Sequence, residues 1–168
     1  MELLKHYMLD KNIFGELAEG AFRLESLPTD GQFWATPVQW EELRKAPDNV
    51  KSRFKELILD HNAIVRAGFA FGIPGAGWSE GEWRQDGEPW YALNKELDDD
   101  MESLWANQPP TEKKQQHQKE NNRKDASIAE AASFNGFTLI TCDRALITAA
   151  AKHGIKVLDP RASARGTK

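Results

Sequence analysis

Apolar positions along the chain switch between short continuous runs and helical spacing. Tyr7-Met8-Leu9 is a short apolar run closed by Asp10, the pattern of a first strand. Ile13, Phe14, Leu17, Ala18, Ala21 and Phe22 then recur at helical spacing. Pro28-Thr29-Asp30-Gly31 marks a turn, and Phe33 to Val38 predicts a second strand, with Pro37 near its end or in a first helical turn. Trp40-Glu41-Glu42-Leu43 opens a short helix that stops near Pro47. From Val50 a longer helix sets Phe54, Leu57, Ile58, His61, Ile64 and Val65 on one face, where His61 is expected to be a satisfied core histidine. The pattern breaks between Phe69 and Pro89, a glycine- and proline-rich stretch carrying Trp78 and Trp83, with Trp90 just beyond. Tyr91 to Trp105 returns to helical spacing, with Glu96, Asp98, Asp99, Asp100 and Glu102 forming a solvated outer face.

The clearest stretch runs from Lys124 to Asp143. Ile128, Ala129, Ala131 and Ala132 form a small apolar helix face, and Gly136 stands where a left-handed cap is wanted. Phe137 to Thr141 is a short β-branched run suited to an inner strand. Asp143 leaves the sheet at the carboxyl end of that strand, and Asp125, in the first turn of the preceding helix, is brought to the same edge. The polar Thr111–Asn122 stretch either extends the Asp125 helix or forms an arm. Ala145, Leu146, Ala149 and Ala150 make a further helix stopped by Gly154, and Ile155 to Leu158 a last strand ended by Asp159-Pro160. Strands alternating with helices predict an α/β fold with a parallel sheet and right-handed crossovers. The expected organisation is one domain over residues 1–160, with residues 50–120 as an elaborated insertion and residues 161–168 as a basic, flexible tail.

Composition narrows the class. With 168 residues, 40% hydrophobic and 29% charged, the chain fits one soluble globular domain. A net charge of −4 gives no global basic signature for nucleic acid and leaves a local basic groove open. A single cysteine, Cys142, excludes an intrachain disulfide and a multi-cysteine zinc site, so a reducing cytoplasm is the simplest compartment. Met1 to Tyr7 has no apolar core long enough for a signal peptide, and no run approaches the ~18 apolar residues of a membrane span.

The candidate chemistry lies in acids at element ends: Asp10, Glu42 or Glu41, Asp125 and Asp143. The bland reading of Asp10 and Asp143 is a helix N-cap, worth about 1 kcal/mol. That of Glu41 and Glu42 is a first-turn acid favoured by the helix dipole. Two bare carboxylates about 4 Å apart repel by roughly 4 kcal/mol at an effective dielectric of about 20, so four clustered acids need a cation or must protonate. Oxygen-only donors select hard ions, Mg²⁺ or Mn²⁺, over zinc, and such sites suit phosphoryl chemistry. No Ser-His-Asp or Cys-His arrangement competes.

The motifs around these acids resemble those of the PIN-domain nuclease family. Tyr7-Met8-Leu9-Asp10-Lys11-Asn12-Ile13-Phe14 resembles its opening strand with a D-x-N element, and Thr36 to Leu43 resembles its second motif, which favours Glu42 over Glu41. Asp125 to Ala132 resembles the third, Leu139 to Asp143 the fourth, and Gly154 to Pro160 the closing strand. The match covers residues 5–45 and 122–160. The resemblance implies a PIN-like parallel-stranded sheet flanked by helices, and a Mg²⁺- or Mn²⁺-dependent ribonuclease with Asp10, Glu42, Asp125 and Asp143 as metal ligands. Asn12 and Thr141 would orient carboxylates or water, and Arg123, Lys124 and Arg144 would meet the RNA backbone. Many small bacterial members are toxins neutralised by a cognate antitoxin, often as dimers, so an antitoxin and a homodimer are the partners implied beside RNA. The family often carries another acid shortly after the fourth motif; here Arg144-Ala145-Leu146 follows, which puts a second metal in doubt. The alternative is a non-catalytic PIN-like module that holds RNA or a protein. A D-x-D phosphatase ranks last, because Asp10-Lys11-Asn12 has Asn in the second place.

Overall fold

A computed structural model describes residues 4–65, 100 and 112–164. Its strands are β1 (Lys5–Leu9), β2 (Gly31–Trp34), β3 (Thr138–Ile140) and β4 (Val157–Leu158), and its helices are α1 (Lys11–Ala18), α2 (Pro37–Leu43), α3 (Asp48–Leu57), α4 (Glu112–Asn135), α5 (Arg144–Lys152) and α6 (Pro160–Ala164). The strands pair in parallel in the order β2-β1-β3-β4. This is the α/β sheet flanked by helices that the alternation of runs predicts.

Alternation along the two inner strands divides the core between the faces of the sheet. On one face Tyr7 and Leu9 of β1 and Ile140 of β3 pack with Ile13, Phe14 and Phe54. On the other, Met8 and Leu139 pack with Ile128, Ala132 and Leu146. The ring of Phe14 meets that of Phe54 edge-on, with centroids 5.0 Å apart, which fixes α1 against α3. The alanines of α4 are fully buried and let that helix lie close to the sheet.

Several boundaries differ from the sequence-based expectation. α1 ends at Ala18, because Gly20 (φ 77°) turns the chain, so Ala21 and Phe22 lie beyond the helix. Phe22 is buried all the same. The second strand occupies Gly31–Trp34, earlier than Phe33 to Val38, since Thr36 caps α2 and Pro37 is its first residue. Glu42 therefore sits in the last turn of α2, not its first, and the helix-dipole reading of that acid fails. α3 starts at Asp48 and yields to a single tight turn over Leu59–His61, and left-handed Asn62 (φ 50°) then redirects the chain. His61 is consequently exposed, not a core residue, and Ile64, also exposed, bridges Ala35 in parallel at the end of β2.

Asp125 lies well inside α4, whose polar first half extends the helix back to Glu112. Gly136 (φ 68°) ends α4 where the sequence places a cap. The expected loose tail begins instead with α6, anchored by Arg161, whose Nη2 donates to the carbonyl of Cys142. The stretch from Phe69 to Pro89 with Trp78 and Trp83, together with Trp90 and the remainder of Tyr91 to Trp105, falls outside the described residues, except for Asp100. Asp100 is not a solvated acid: its carboxylate accepts from Lys152 Nζ at 2.6 Å and pairs with His153 Nε2 at 2.7 Å, at the end of α5. Among the described residues no helix is long and apolar enough to cross a membrane.

Candidate metal centre

Asp10 follows β1 directly. Its backbone N–H donates to Ile140 O at 2.9 Å, so the ladder runs one residue past the strand and places the side chain at the carboxyl edge. Asp10 precedes α1 but makes no side-chain cap bond. Its Oδ2 instead accepts from Thr141 Oγ1 at 2.8 Å, and both residues are fully buried. Thr141 Oγ1 also accepts from Asp143 N at 3.1 Å, so one hydroxyl ties the ends of β1 and β3 together. Asp143 does act as a cap: its Oδ1 accepts from Ala145 N at 2.8 Å and Leu146 N at 3.3 Å. Two acids with the same sequence context thus do different work.

α2 lies across the same edge. Gln39, fully buried, donates from Nε2 to Leu9 O and accepts from Thr36 N at 2.6 Å. One end of α2 is thereby pinned to β1, and Glu42 is carried to the site. Glu42 Oε1 takes Lys11 Nζ at 3.2 Å and Lys124 Nζ at 2.9 Å. Asp125, 3% exposed on α4, is the fourth acid.

These carboxyls feel one another. Burial pushes Asp10 up to about 6; the Thr141 hydrogen bond pulls the other way, Asp143 raises it further and Lys11 lowers it. Asp125 is raised well above the ordinary carboxylate range by burial, then by the charge of Asp10, with Asp143 and Glu42 adding and Lys11 opposing. Asp10 Oδ1, Glu42 Oε2 and Asp125 Oδ1 are buried without a hydrogen-bond partner among the described residues. Buried acceptors of this kind are costly unless something donates to or coordinates them. The donor set is oxygen only, which suits Mg²⁺ or Mn²⁺. Among the described residues, however, no three acids stand as a ready-made group of metal ligands. Glu42 Oε1 is already committed to two lysines.

Of the other predicted residues, Asn12 is exposed on α1 and lines a cavity of about 320 Å³ with Lys11, Gly15, Glu16, Glu19, Leu43 and Val50. Arg123 and Arg144 are exposed, whereas Lys124 is half-buried against Glu42. Cys142, between Thr141 and Asp143, is buried, and burial with the nearby Glu16 charge pushes its thiol up to about 12, so it offers no thiolate. Sequence reasoning missed Gln39 and Lys11. Gln39 had a signal, the Thr36-x-x-Gln39 spacing of a capping box. Lys11 had none beyond its place next to Asp10.

No protein-family model matches the chain, and no curated protein matches it. Among solved structures it is similar to FitAcB from Neisseria gonorrhoeae, with a TM-score of 0.44 and 16% identity over 92% of this chain and 98% of that one. It is also similar to VapBC-1 from nontypeable Haemophilus influenzae, with a TM-score of 0.45 and 14% identity over 93% and 98% of the two chains.

Proposed function

We propose that the chain is a Mg²⁺- or Mn²⁺-dependent endoribonuclease that hydrolyses RNA phosphodiester bonds at the carboxyl edge of its sheet. The observation that carries this reading is that three buried carboxyl oxygens, from Asp10 after β1, Glu42 on α2 and Asp125 on α4, have no hydrogen-bond partner among the described residues. Asp10 Oδ1 and Asp125 Oδ1 would hold the ion, with Glu42 and Asp143 completing the acid set. The chemistry supplied by Mg²⁺ or Mn²⁺ when bound is stabilisation of the charge that develops at phosphorus and easier loss of a proton from the attacking water.

The chain's own contribution is positional. Thr141 holds Asp10 by Oδ2 and leaves Oδ1 to the site. Gln39 seats α2 so that Glu42 reaches the edge. Arg123 and Arg144, exposed on α4 and α5, would meet the RNA backbone. The motif resemblance to PIN-domain toxins extends the reading to an antitoxin partner, a homodimer and a cytoplasmic location.

A second reading, a PIN-like module that binds without cutting, is favoured by the use of Asp143 as a helix cap and of Glu42 as a lysine partner. One experiment separates them. Labelled RNAs and single-stranded DNA are incubated with purified protein in Mg²⁺, Mn²⁺ or EDTA, beside Asp10→Asn and Asp125→Asn. The nuclease reading expects metal-dependent RNA cleavage that falls at least about 100-fold in both variants. No cleavage and no Mn²⁺ binding by the wild type would leave the binding module.

A further inference from the structure

Two of the site acids have a lysine as their chain neighbour: Lys11 follows Asp10, and Lys124 precedes Asp125. Both lysines reach past that neighbour to the same oxygen of Glu42, Oε1, at 3.2 and 2.9 Å. The three side chains are only 17–21% exposed, so water screens them poorly. A single carboxylate cannot balance two ammoniums, and Lys11 accordingly also acts on Asp10 and Asp125. On the same carboxylate, Glu42 Oε2 is buried without a hydrogen-bond partner among the described residues. α2 therefore brings Glu42 to the edge with Oε1 turned to internal cations.

We propose that Lys11 and Lys124 are an internal counter-cation pair, which holds Glu42 in the metal-free protein and yields it to a divalent ion. This rests on the metal-centre reading above and adds its regulation. The ion must compete with two tethered ammoniums for Glu42, so affinity is set low and occupancy follows the free ion concentration. Lys11 and Lys124 are positioning residues in this account, acting through Glu42.

The test is Mn²⁺ binding to the full chain by titration calorimetry at near-neutral pH and physiological salt. The proteins are wild type, Asp10→Asn, Lys11→Met with Lys124→Met, Lys124→Arg, Glu42→Gln, and the lysine pair removed in the Glu42→Gln background. Methionine keeps much of the apolar stem, and circular dichroism checks that each variant is folded. Removing both lysines is expected to tighten Mn²⁺ binding at least about tenfold with Glu42 present and by a several-fold smaller factor in the Glu42→Gln background, where only the pull of Lys11 on Asp10 and Asp125 remains, the non-additivity of groups that act through one another. Lys124→Arg should keep the wild-type affinity. Equal tightening in both backgrounds would mean a general charge effect and would overturn the proposal, as would unchanged or weaker binding without the lysines. If those results come with loss of binding in Asp10→Asn, the metal centre stands and only the lysine pair fails. Unaltered binding in Asp10→Asn, or no binding by any protein, overturns both. Binding that appears only when the lysines are removed would mean that the pair never yields Glu42, and would overturn its regulatory role.

Discussion

Thr141 shows how much one hydroxyl decides at this edge. It donates to Asp10 Oδ2 and accepts from Asp143 N, both inside the protein. Thr141→Val keeps the shape and removes both bonds, leaving a buried carboxyl and a half-buried N–H each short of a partner. A loss of about 1–3 kcal/mol is expected, read as a lower urea midpoint, while Thr141→Ser should retain most of the stability. A valine variant as stable as wild type would show that neither bond matters to the fold. Residues of this kind were only half legible in the sequence. Asp10 and Asp143 stand alike at strand-to-helix junctions, and the same cap reading fits both. Which of them caps and which turns inward depends on Thr141, through contacts 131 positions apart for Asp10 and two for Asp143. No local pattern encodes the longer one.

Among the elements, β1 is set by its neighbours at both ends. At its amino end Lys5 pairs with Gly31 in the β1–β2 register, and Lys5 Nζ and Tyr7 OH both donate to Asp30, at 2.6 and 2.8 Å. A Cβ on Gly31 would lie 2.3 Å from Lys5 O and 2.7 Å from Tyr7 Cε2. The carbonyl belongs to the ladder and cannot step aside. Gly31→Ala should therefore destabilise the fold by about 1–3 kcal/mol or more, visible as a lowered thermal midpoint; an unchanged midpoint would mean that the strands separate freely there. Elements with a strong apolar signal were legible: β1, β3, α5, and the second half of α4 with its glycine stop. The first half of α4 was not, because Glu112 to Lys124 contains no apolar residue to give the helix a face. The end of α3 was missed for the opposite reason. His61, Ile64 and Val65 continue a helical period on paper, yet Asn62 adopts a left-handed conformation and hands the chain to a strand-like bridge.

At the scale of the whole molecule, the acid edge gives a pH dependence whose sign can be worked out. Asp10 titrates near 6 in the fold against an ordinary 3.8, so folding favours its neutral form. That contribution is complete below the unfolded value and lost as pH rises through about 6; about two pK units correspond to roughly 3 kcal/mol. Asp125 is shifted in the same direction and adds to the trend. Asp30, held down by Lys5 and Tyr7, and Asp100, held down by Lys152 and His153, act oppositely, and their contribution is lost on the acid side as pH falls through their lowered values. Without divalent ions the protein should thus be most stable in mildly acidic solution, and its thermal midpoint should fall as pH rises from about 4 through about 6. Asp10→Asn should flatten that fall and raise the midpoint at the alkaline end, by up to roughly 3 kcal/mol of stability. Saturating Mn²⁺ should do the same for the wild type by binding the folded state alone. Scanning calorimetry across that range checks all three. A wild-type midpoint that rises with pH and does not respond to Asp10→Asn would mean that the edge is solvated and its acids are ordinary. A fold that gains stability on losing its central acid is keeping that acid for what it binds, since folding alone would favour the amide.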